Sequence, residues 1–167
     1  MKPSYFLFLF VLNLNLLVAQ SSVIPIKIET QERYILYKAS GYDEMIQKIK
    51  DMDYWDKRKI SESYTKAVWR SENGFNTAFY KSVLSKENYD YLKKNRSRKT
   101  LFYIYYVIDH TGDKTYSVAL KFPKNLIELS EKEVQAILSE AMEHTFKYEK
   151  RPKVDNFFFK VGYALAI

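Results

Sequence analysis

From Phe157 to Ile167 the chain obeys a period of two: Phe157, Phe159, Val161, Tyr163, Leu165 and Ile167 fall on one side, and Phe158, Lys160, Gly162, Ala164 and Ala166 on the other. A strand puts successive side chains on opposite faces, so this run is a strand with one strongly apolar face. A strand needs partners for its backbone and a cover for that face, and the sequence supplies both. Residues 101–108 read LFYIYYVI, β-branched and aromatic throughout, as expected of a strand with neighbours on its sheet faces. Asp109-His110-Thr111-Gly112-Asp113 has turn chemistry, with Gly112 free to take a positive φ. Beyond it Tyr116, Val118, Leu120 and Phe122 alternate with Thr115, Ser117, Ala119 and Lys121, and Pro123 closes a second, hairpin-linked strand.

The cover is a helix. Ser130 and Glu133 have the spacing of a capping box, and Leu129 and Val134 that of a hydrophobic staple. Val134, Ile137, Leu138, Ala141 and Met142 form an apolar stripe continued by Phe146, which predicts a helix over 131–147 ended before Pro152. Upstream, Ser85 caps a short helix (SKENYDYLKK) followed by the basic loop NRSRK. In the N-terminal part, 23–29 and 33–38 read as strands and 43–52 as a helix with Ile46 and Ile49 inward. Residues 54–80 offer aromatic richness and a turn at Asn73-Gly74. The expected fold class is α+β: an antiparallel sheet containing strands 101–109, 114–122 and 156–167, with one main amphipathic helix packed on a face, in the order helix-β-β-α-β across the C-terminal half.

That half, residues 85–167, resembles a TonB C-terminal-domain module. A short helix precedes a hairpin with Asp109 and Gly112 in its turn. The main helix is followed by Phe146, Lys147, Tyr148 and Pro152, and then by the last strand. The resemblance implies a binding module that pairs a partner strand at a sheet edge. TonB proper keeps an uncleaved anchor and a long Pro-rich spacer, neither of which is found here, so energy transduction is not implied.

Composition sets the address. Met1 and Lys2 precede an uncharged run from Pro3 to Val18, then Ala19, Gln20 and two serines, the layout of a signal peptide covering 1–19. Asn13 and Asn15 interrupt a stretch already shorter than the roughly 20 residues a bilayer-spanning helix needs, so no stable membrane span is expected after its removal. Residues 20–84 are then an N-terminal α/β extension of the same domain as 85–167. The Ala-Gln junction resembles exported proteins of the Bacteroidetes, pointing to an uncharacterised family of that type and a periplasmic or secreted location. The sequence has no Cys, which excludes thiol chemistry, Cys-ligated metals and a disulfide scaffold, so packing must carry stability. Lys and Arg outnumber Asp and Glu by 27 to 20, giving a net charge of +7, but export argues against nucleic acid as the partner.

Candidate chemistry is sparse. Glu140 and His144 share a helix face at i and i+4, and His110 adjoins Asp109, but two ligands do not make a metal site. Four glycines leave no room for a phosphate loop or dinucleotide fingerprint. Asp51, Asp53 and Asp56 beside Trp55 suggest a small carbohydrate-active enzyme or glycan-binding protein as the alternative function. The favoured expectation is a noncatalytic, cofactor-free module binding another envelope or secreted protein. Its interaction residues would be Phe157, Phe159, Val161 and Tyr163 on the last strand, with Arg96 and Arg98 of the basic loop and the chain's abundant tyrosines.

Overall fold

A computed structural model describes residues 24–53, 67–69, 75–95, 102–124, 126–148 and 158–165. In chain order its elements are β1 (Ile26–Thr30), β2 (Tyr34–Ala39), α1 (Tyr42–Asp51), β3 (Ala67–Trp69), α2 (Thr77–Val83), α3 (Lys86–Lys94), β4 (Phe102–Asp109), β5 (Thr115–Pro123), α4 (Glu131–Met142), β6 (Phe146–Tyr148) and β7 (Phe158–Leu165). The fold is α+β. Five strands form an antiparallel sheet in the order β1-β2-β5-β4-β7, and β3 pairs with β6 in a separate two-stranded ribbon.

The alternation in β4 explains the layering. Phe102, Ile104, Tyr106 and Ile108 face α4, joined from neighbouring strands by Tyr37, Val118, Leu120 and Phe122, and from the helices by Tyr80, Leu84, Leu92, Val134, Ile137, Leu138 and Ala141. Full burial of each large side chain contributes about 1.5–3 kcal/mol, which makes this face the main source of stability in a chain without disulfides. The opposite face is covered by α1, whose Tyr42 and Met45, with Ile46 and Ile49 beside them, pack on Val107 and Ala119. Two of the α1 residues expected to point inward, Ile46 and Ile49, do so.

Two local expectations are corrected. The main helix ends at Met142, not 147: Glu143 caps it, and Phe146, predicted to continue the helical stripe, lies in β6 and donates its backbone N–H to the Gly112 carbonyl at 2.7 Å. Phe146 is still fully buried, edge-on to Tyr106, so its burial signal was sound and its period was misassigned. In β5 the alternation is broken by a bulge opposite Val107/Ile108, an extra residue that re-aims the chain. Thr115 thereby returns to the main core face, where its hydroxyl donates to the His144 carbonyl at 2.6 Å. Tyr116, expected inside, is exposed and meets Phe158 edge-on.

The hairpin turn is fixed from both sides. The Asp109 carboxylate accepts from the Thr111 N–H and hydroxyl and from the Gly112 N–H, and the Tyr148 hydroxyl donates to the Asp109 carbonyl. Gly112 has φ +74°, and a Cβ there would sit 2.5 Å from the Phe146 carbonyl oxygen. Glycine is required twice over, by conformation and by space.

Candidate binding surface

Strand β7 stands at the edge of the sheet. It pairs with β4 along its whole length, from Phe158 opposite Asp109 to Leu165 opposite Phe102, and among the described residues no strand pairs with its other side. Three of the four β7-run residues expected to interact, Phe159, Val161 and Tyr163, therefore lie on an edge strand at the register positions of Ile108, Tyr106 and Ile104. Phe157, the fourth, and Arg96 and Arg98 lie outside the described residues. Lys160 is the single charge in β7. The opposite edge differs: in β1, Lys27 pairs with Asp43 at 2.9 Å and Glu29 with Lys38 at 2.5 Å. Natural sheets commonly guard edges with charge, and β1 follows that rule more closely than β7.

The face covered by α1 has an electrostatic gradient. At the α1 end Lys38, almost wholly covered, is held by Asp43 at 2.7 Å as well as by Glu29. The hydrogen bonds it donates to Asp43 and then to Glu29 raise its pKa, and the same bonds lower those of the two carboxyls. At the far end the cations meet rings instead. The Lys121 ammonium lies 4.0 Å from the Tyr34 ring centroid and that of Lys160 4.3 Å from Tyr105. Lys160 is held below the ordinary lysine range by partial burial and by the charge of Lys121. Among the described residues neither lysine has a carboxylate within ion-pair distance. Burial, then proximity to Tyr34 and Tyr103, raises the Tyr105 phenol, marking three tyrosines and two lysines as one patch. Gly162 makes it possible: its absent side chain leaves room for the Tyr105 ring, which would lie 3.0 Å from a Cβ there. The sequence reading noticed the tyrosines but missed this cluster, whose members come from four strands and converge only through register.

The remaining nominated residues do not converge. Asp51 and Asp53 are exposed at the end of α1, with Asp51 accepting from Gln47 at 2.7 Å; Trp55 and Asp56 lie outside the described residues. His144 is not on an open helix face but past the helix end, 4% exposed. Its Nδ1 is 2.9 Å from the Tyr106 hydroxyl and its Nε2 3.4 Å from Glu140. Among the described residues no group of three His, Asp or Glu side chains is placed to hold a metal ion, and no helix is long and apolar enough to cross a membrane.

No family model and no curated protein matches the chain. A solved structure of a DUF5043 family protein from Bacteroides uniformis is similar at 10% identity, over 87% of this chain and 94% of that one, with a TM-score of 0.37. A superposition that loose carries no argument about fold or function. The TonB-type resemblance gains no support here. It covers 85–167 alone, whereas the hairpin sits in a sheet completed by β1 and β2 from the N-terminal half.

Proposed function

We propose that the protein is a noncatalytic binding module of the cell envelope or secreted space, which captures an extended segment of another exported protein as an added strand on β7. The observation that carries this is the β7 edge: eight residues, one charge, fully paired on one side and unpaired by any described strand on the other. An incoming strand gains a row of backbone hydrogen bonds, and alternate side-chain positions supply selectivity. The noncatalytic character is supported by what the ionisable groups already do: Glu133 caps helices, Asp109 builds a turn, and His144 is buried against Tyr106. No cofactor is assigned.

Consecutive residues of an edge strand send their N–H groups to opposite sides, which supplies an internal control. Of Lys160→Pro and Val161→Pro, one removes an N–H bonded to β4 and the other an outward N–H. Peptides selected from a randomised library should protect alternate β7 amides in hydrogen exchange. One proline variant should keep the native melting temperature and lose peptide capture, while the other is destabilised. Selected peptides that leave β7 exchange unchanged would overturn the reading.

A further inference from the structure

The far end of the α1-covered face carries a second site. Gln31, Glu32 and Arg33 of the β1–β2 turn, with Tyr34, Tyr103, Lys121 and Pro123, line an open cleft of about 400 Å³. Tyr103 and Lys121 are directly opposite one another on paired strands, a spacing that puts their Cβ atoms about 5 Å apart. Tyr103 is 39% exposed although its strand lies between two others, β5 and β7. Arg33 and Lys121 give the cleft two cations against the one carboxylate of Glu32, and among the described residues neither cation is ion-paired. Lys38, at the other end of the same face, is by contrast held by two carboxylates, those of Asp43 and Glu29. The Tyr34 hydroxyl donates to Gln31 Oε1 at 3.0 Å, which fixes the phenol oxygen as an acceptor at the cleft wall.

We propose that this cleft binds a carboxylated sugar, a hexuronic acid unit, with its ring on Tyr103 and its carboxylate between Lys121 and Arg33. The size and lining favour a compact ring over an extended acidic peptide: the cleft is bordered by the turn and by Pro123, and its volume of about 400 Å³ suits one or two sugar rings. An aromatic platform with cations at its border matches a molecule that has an apolar ring face and a negative edge. Glu32 and the Tyr34 oxygen then accept from sugar hydroxyls. The carboxylates Asp51 and Asp53, which the sequence offered for glycan chemistry, have no part in it.

The test is NMR titration of the whole protein with glucuronate and with glucose, which differ at one carbon, and with an Asp-rich peptide. Glucuronate should shift the signals of 31–34, 103 and 121 and bind about tenfold more tightly than glucose, a difference of about 1.4 kcal/mol. Lys121→Gln should erase that preference while leaving both the melting temperature and peptide capture at β7 unchanged. Tyr103→Thr, which keeps strand propensity, should abolish binding of both sugars. Equal binding of the two sugars, tighter binding of the Asp-rich peptide in the cleft, or absence of shifts at these positions would each overturn the proposal.

Discussion

Glu133 shows how much one side chain can organise. Within the capping box it accepts from the Ser130 N–H and hydroxyl, both at 2.7 Å, and it also accepts from the Ser85 N–H at 2.7 Å and the Asn88 amide at 2.9 Å, so one buried carboxylate ties the starts of α3 and α4 together. Burial alone would raise its pKa, but these bonds outweigh it and the net shift is downward. Glu133→Ala should cost about 3 kcal/mol in urea denaturation, since several charge-assisted bonds are lost and donors are left buried. Because its folded pKa lies below the unfolded one, its contribution is complete above the ordinary carboxyl range and is lost as pH falls through the folded value. His144 has the same sign by a different cause: burial lowers its pKa, partly opposed by Glu140. Its folded form binds protons less readily than its unfolded form, so stability should decline as pH drops below the imidazole's ordinary value of about 6.5. His144→Gln should flatten that segment of the stability–pH curve. Tyr80 is the converse case, a fully buried phenol whose hydroxyl meets no partner among the described residues and whose pKa burial raises. Tyr80→Phe should be neutral or stabilising by about 1 kcal/mol in thermal unfolding. The capping box was legible because it is local in sequence; the bonds to Ser85 and Asn88, and the burial of His144, depend on chain segments dozens of residues apart.

Elements were legible to the extent that their period was unbroken. β1, β2, α1, β4, β7 and the start of α4 follow from alternation or an apolar stripe. α2 was missed, although Asn76 caps it by accepting from the Phe79 N–H and Phe79, Tyr80 and Val83 have helical spacing. The end of α4 was misplaced because Phe146 satisfies the helical stripe and the strand alike, and the long-range pairing with Trp69 and the hydrogen bond to Gly112 decide between them. The β5 bulge leaves no mark in composition. These two irregularities meet at the turn, which predicts that Gly112→Ala is far more damaging than its position in a short loop suggests. A positive φ and a Cβ pressed on the Phe146 carbonyl should together cost about 2–4 kcal/mol. Circular dichroism melting should show a drop of several degrees or more, and Asp109→Ala a smaller one, since it removes the turn's hydrogen bonds without introducing a clash.

At the scale of the molecule, strand order could not be read from the sequence. Neither β1-β2 joining β5 nor β7 taking the outer place beside β4 follows from any single strand's pattern, since an apolar run like β7 suits the middle of a sheet equally well. That order places the tyrosine–lysine patch beside the β7 edge and gives the sheet two unlike borders. β1 is short, preceded by Pro25 and studded with Lys27 and Glu29, whereas β7 is long and nearly uncharged. The difference governs how copies could assemble. A head-to-tail stack would need β7 of one molecule on β1 of the next, a heterologous joint that leaves a fresh end after every addition and so has no natural limit. With β1 guarded, the permitted joint is β7 against β7, antiparallel about a twofold axis, which uses up both reactive borders at once. Concentrated protein should therefore sediment as monomer and dimer without higher species, and the same arrangement that leaves a strand open to a partner denies the chain a route to fibres.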